Sequence, residues 1–159
     1  MNAAAEAELE RLVVQRACEC EDLPTDEQIA RWVNVALADH PRAALVVRLV
    51  DEKEGRELNR MWRQRDYPTN VLSFPASLPE GTGLQFLGDI VLCAPVIARE
   101  AEGQGKLPEW HWAHLVIHGS LHLLGFDHMS AHQAEQMESR EIELLATLGI
   151  ADPYDINED

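Results

Sequence analysis

Three histidines and a glycine packed into residues 118–128, His118-Gly-Ser-Leu-His122-Leu-Leu-Gly125-Phe-Asp-His128, constrain this chain more than any other feature. His118 and His122 are four apart, so on a helix both imidazoles leave one face about 6 Å apart along the axis. Gly125 permits a left-handed helix stop. The chain is then free to turn back and carry His128 toward the same point. Three neutral imidazoles bind one ion at about 2.0–2.1 Å and leave one tetrahedral position open. Structural zinc sites are usually closed by four protein ligands with cysteine prominent, and this segment has no cysteine. The pattern predicts one open metal site, where water can be activated. His111 and His114 lie on nearly the same helix face upstream and are expected to support the ligands, to face the substrate or to pack, rather than to be further ligands. Asp127 is expected to orient a ligand or to cap the turn.

The spacing H-x-x-x-H-x-x-G-x-x-H is that of metzincin proteases, whose motif has a glutamate general base after the first histidine. Here that position is Gly119. A peptidase on this template lacks its proton acceptor, which leaves a zinc metallopeptidase or other zinc hydrolase as the alternative reading.

The surrounding sequence predicts a mixed α/β (α+β) domain. Leu12–Ala17 and Ala43–Val50 read as strands, and Thr25-Asp-Glu-Gln28 is a capping box opening a helix to about Ala38. Ile29, Trp32, Val33 and Ala36 are its inward positions. Residues 51–63 carry helical apolar spacing at Leu58, Met61 and Trp62, with Arg56, Arg60 and Arg63 on one face. Val71–Phe74, bracketed by Pro68 and Pro75, reads as a strand at a sheet edge bordering the metal cleft. Ser77–Gly83 reads as a loop and Leu87–Cys93 as a strand. Helices are expected over Ala94–Glu102, Glu109–Leu124 and a last segment capped by Ser130, with Met137, Ile142, Leu145 and Leu148 inward. The first ten residues are Ala/Glu-rich, helical or frayed. The order β-α-β-α-β-β-α-α-α gives a small mixed four-stranded sheet packed by about five helices, one domain over 1–159.

Charge narrows the partners. The 159 residues hold 13 Lys+Arg against 28 Asp+Glu, a net charge of −15, which argues against general nucleic-acid coating. Seven of the 13 basic residues nevertheless fall between positions 42 and 65. That cluster is either a solvated helix face or an anion-facing patch on a repulsive surface. No apolar run reaches the roughly 18 residues of a membrane span, and no secretory start is visible. Three cysteines make a poor disulfide framework. A soluble, cytoplasmic protein is expected.

Four blocks together, HGSLHLLGFDH at 118–128, DYPTNVLSFP at 66–75, LGDIVL at 87–92 and ADPY at 151–154, resemble the YbeY family of small bacterial zinc-dependent endoribonucleases. They stand in the family's order, and the similarity covers essentially the whole chain. The resemblance implies a zincin-like fold with one zinc ion held by His118, His122 and His128. It implies cleavage of single-stranded RNA, with roles in 16S rRNA 3′-end maturation and 70S ribosome quality control, hence rRNA, the ribosome and its associated proteins as partners. The family's functional arginine, just upstream of the DYPTNVLSFP block, falls on Arg63. Trp62 stands where the family commonly has a tyrosine. A fixed guanidinium suits charge building on phosphate oxygens. A third class stays open: a non-catalytic ribosome-associated binder whose zinc is structural.

Overall fold

The computed structural model describes residues 11–76 and 85–154. Two of the sequence expectations, the Ala/Glu-rich start and the Ser77–Gly83 loop, lie outside the described residues. Four strands form one sheet in the order β1-β2-β4-β3: β1 (Leu12–Arg16), β2 (Ala43–Val50), β3 (Val71–Pro75) and β4 (Gln85–Cys93). β1, β2 and β4 run parallel, and β3 pairs antiparallel with β4 alone. The sheet is therefore mixed, and β3 is an edge strand, as its flanking prolines predict.

Five helices among the described residues cover it: α1 (Asp26–Ala36), α2 (Glu52–Arg63), α3 (Ala94–Gln104), α4 (Pro108–Leu123) and α5 (Ala131–Thr147). Two begin with full capping boxes. Thr25 Oγ1 accepts from the Gln28 amide at 3.1 Å and Gln28 returns the bond at 2.9 Å, and Ser130 and Gln133 repeat the device on α5. Ile29, Trp32, Val33 and Ala36 are buried, as their spacing requires.

Alternation along the strands divides the interior into two cores of unequal size. Leu45, Val47, Leu49, Ile90 and Leu92 face α1 and α4 in the larger core. Val50, Leu72, Val91 and Cys93 face the opposite side, where Leu58 of α2 packs on them. Helix α4 is central to the larger core. Trp112, Ala113, Leu115, Val116, Ile117, Leu121 and Leu123 are all buried, so apolar residues surround nearly its whole circumference. A helix so enclosed is a rigid platform for polar side chains at one end.

Two expectations need correction. Met61 and Trp62 do not turn inward: α2 buries Gly55 and Asn59, while Met61 is 65% and Trp62 57% exposed. The reason is close approach. A Cβ on Gly55 would stand 3.1 Å from Cys93 Sγ, so α2 meets the sheet through its smallest residue. On α5, Ile142 and Leu148 are only half-buried, and Leu144 and Glu141 take inward positions beside Met137 and Leu145.

Candidate metal centre

His118 and His122 project from the last turns of α4, and His128 follows the turn after it. Gly125 takes φ +105°, a region that favours glycine, and the Phe126 amide bonds back to the Leu121 carbonyl at 3.0 Å. Asp127 Oδ1 accepts from the His128 amide at 2.7 Å, so this carboxylate caps the turn. The result brings one ring nitrogen from each of His118, His122 and His128 within 4.8 Å of one another. Ring centroids lie 4.7 Å apart for His118–His122, 5.0 Å for His122–His128 and 6.2 Å for His118–His128. Burial, and then the two neighbouring imidazoles, lower the His122 pKa, which favours the neutral form that ligates.

Behind the trio lies a carboxylate with no exposure. Glu141 on α5 faces His114 and His118 on α4: His114 Nε2 is 2.6 Å from Oε2, and His118 Nδ1 is 3.1 Å from Oε1. The Tyr154 hydroxyl adds contacts at 3.0 and 2.9 Å to the two oxygens. Burial acts to raise the Glu141 pKa, but hydrogen bonds from both imidazoles overcome it and hold the group at about 2. An ionised Glu141 accepts a proton-bearing Nδ1 from His118, which leaves Nε2 as the lone pair for an ion. His114, His118 and Glu141 also lie within ligand range of one another, at distances that suit hydrogen bonds between the rings and the carboxylate. Enclosed and saturated with donors, Glu141 is not placed to take a proton from substrate.

Sequence reasoning missed Glu141. Its signal was present: position 141 falls on the apolar stripe of α5 with Met137, Leu144 and Leu145, and a carboxylate there needs a buried partner. His114 does support a ligand, through this carboxylate. His111 instead bonds Glu100 Oε1 at 2.9 Å, and Asn70 Nδ2 reaches the same oxygen at 2.9 Å. That pair of bonds fixes the turn entering β3 against α3 and α4.

Gly119 explains why no glutamate follows the first histidine. A Cβ there would sit 2.8 Å from Ile90 Cγ2, so α4 rests on β4 through a bare backbone. Gly119→Glu is expected to lower stability by about 1–3 kcal/mol through overpacking and to confer no peptidase activity, as thermal melting and a peptide-cleavage assay check.

Arg63 lies at the edge strand beside this centre. Its Nη2 donates to the Ser73 carbonyl at 2.9 Å, and its guanidinium carbon stands 5.5 Å from the Phe74 ring centroid. Ser73 Oγ in turn donates to the Gly119 carbonyl at 3.3 Å, tying β3 to the turn of α4 that carries His118. The other arginines divide. Arg56 is committed to Asp66 through bonds of 2.8 and 3.0 Å, and Arg48 to Glu54 through bonds of 2.6 and 3.1 Å. Arg60 has no hydrogen-bond or ion-pair partner among the described residues. A cleft of about 450 Å³ along α2 is lined by Glu52, Glu57 and Asp66 as well as Lys53, Arg56 and Arg60, so it is not an anion site, and no histidine borders it.

Comparison with known proteins places the chain in a family. The sequence model of the family described as Endoribonuclease YbeY matches residues 15–149. A Stutzerimonas stutzeri protein named endoribonuclease YbeY is 56% identical over 133 residues, covering 82% of this chain and 83% of its own. One of the same name from Alkalilimnicola ehrlichii is 53% identical over 160 residues, covering 98% and 94%. The solution structure of TM1509 from Thermotoga maritima superposes with a TM-score of 0.56 at 25% identity, over 90% of this chain and 99% of that one. The matched residues 15–149 take in the edge strand and the histidine helix, and the chain described here belongs to the endoribonuclease YbeY family.

Proposed function

We propose that this endoribonuclease is metal-dependent, that zinc held by His118, His122 and His128 is its metal, and that single-stranded RNA is its substrate. The observation that carries the reading is the convergence of three imidazoles on one point, one of them oriented by a buried carboxylate. The donor set fits zinc, although imidazoles also suit copper and nickel. When bound, the ion supplies Lewis acidity and makes water a competent nucleophile near neutral pH. The chain's own residues do the rest. Glu141 keeps the His118 proton on Nδ1, and Tyr154 and His114 hold Glu141 in place. Arg63, fixed by Ser73 and Phe74, has Nε and Nη1 to offer the non-bridging phosphate oxygens as charge builds there. The family's role implies 16S rRNA 3′-end maturation and 70S ribosome quality control in the cytoplasm as the setting. No helix among the described residues is long and apolar enough to cross a membrane.

The test is cleavage of defined single- and double-stranded RNA by purified protein, with and without chelator, against His118→Ala. Cleavage is expected only of single strands and only with metal. Elemental analysis after dialysis should find about one zinc per chain, and little in a His118→Ala/His122→Ala variant. Metal should also raise the melting temperature by mass action. Equal metal in both proteins would remove the site. If chelation unfolds the protein and RNA is never cut, the metal is structural.

A further inference from the structure

α2 ends in a surface that its packing does not explain. Met61 is 65% exposed, Trp62 57% and Tyr67 49%, although tryptophan is on average among the more buried residues. The indole is nonetheless held. It makes an edge contact with Phe74 on β3, centroids 6.2 Å apart at 70°. Guanidinium groups are interleaved with the rings: Arg63 lies over Phe74, and Arg65 Nη1 meets the Tyr67 hydroxyl at 3.1 Å. The patch is continuous with the metal centre, because Arg63 bonds Ser73 and Ser73 bonds Gly119, next to His118.

We propose that Trp62 is a stacking platform for an unpaired base of the RNA strand, with Arg63 meeting the phosphate beside it. The proposal rests on the endoribonuclease reading and adds to it the reason for single-strand preference. A base stacks on an indole only when its own π-face is free, and in a duplex both faces are covered. Charge complementarity selects the occupant. The chain carries −15 overall, so an anionic lipid surface is repelled over most of the molecule. A polyanionic strand finds a cation at this edge in Arg63, whose guanidinium stands over the Phe74 ring. Aromatic rings alternating with cations are what a sequence-tolerant single-strand site needs.

The experiment is equilibrium binding of the metal-loaded protein to a short labelled 2′-O-methyl single strand, checked intact on a gel afterwards, and to the same strand with abasic positions. Trp62→Ala is expected to weaken binding of the normal strand about tenfold to a hundredfold and binding of the abasic strand hardly at all. Trp62→Phe should retain most of the affinity. In the wild type the strand should also quench indole emission, and Trp62→Phe should lack that change, since Trp32 and Trp112 are buried and Trp110 is half-buried. Melting temperature and zinc content should be unchanged in both variants. Wild-type affinity in Trp62→Ala overturns the proposal and assigns the patch to a protein partner. Failure of the wild type to bind any single strand overturns the endoribonuclease reading itself.

Discussion

Arg63→Ala is expected to cut single-stranded RNA about 10²–10³-fold more slowly than the wild type, with melting temperature and zinc content almost unchanged. The dissociation follows from where the side chain sits. Arg63 is exposed, and its one hydrogen bond goes to an edge-strand carbonyl that water satisfies once the guanidinium is gone. On the proposed mechanism, what is lost is a guanidinium that meets the developing phosphate charge. Lysine should rescue only partly, because an ammonium is a point charge without the planar fork. Loss of metal or unfolding in Arg63→Ala would make the residue structural. A wild-type rate would shift the role to Arg60, the neighbouring cation on the same helix.

Glu141 should behave in the opposite way, with stability and metal affinity falling together. Glu141→Leu leaves the His114 and His118 ring N–H groups and the Tyr154 hydroxyl facing a hydrocarbon, and a buried network broken at one partner costs about 3–5 kcal/mol. Glu141→Gln keeps the shape and one acceptor. Its zinc affinity should fall about 10- to 100-fold, measured by competition with a chromophoric chelator. Acid should act on the same group. The carboxyl titrates near 4.5 when unfolded and is held at about 2 in the folded protein. Its contribution is complete above about pH 4.5 and is lost as pH falls toward 2. The metal-free wild type should therefore lose stability over that window, and metal-free Glu141→Gln should lack this component of the acid transition. An identical acid transition in both proteins would mean that the carboxylate does not carry it.

The sequence reading reached the histidine site because every part of it is local. A four-residue spacing fixes a helix face, and a glycine fixes the stop. The edge strand was legible for a similar reason, since Pro68 and Pro75 exclude it from the sheet centre. The carboxylate behind His118 was not, because the His118–Glu141 pair spans 23 residues between two helices whose docking no periodicity encodes. Trp62 was misplaced because its helix meets the sheet through Gly55. Apolar spacing presumes that large residues make the contact, and here a missing side chain does.

The bond from Arg63 to the Ser73 carbonyl has a consequence for the edge of the sheet itself. At the two ends of β3, the Asn70 carbonyl accepts from the Cys93 amide and the Ala76 amide donates to the Leu87 carbonyl, both in β4, so by alternation the Ser73 main chain faces outward. An outward carbonyl on an edge strand is the place where an extended peptide, or the same strand of another molecule, adds itself to a sheet. Here a charged side chain already occupies it. A strand adding itself there, beside the histidines, would have to displace the guanidinium from the Ser73 carbonyl. One main-chain acceptor on the open side of the sheet is thereby satisfied from within the chain.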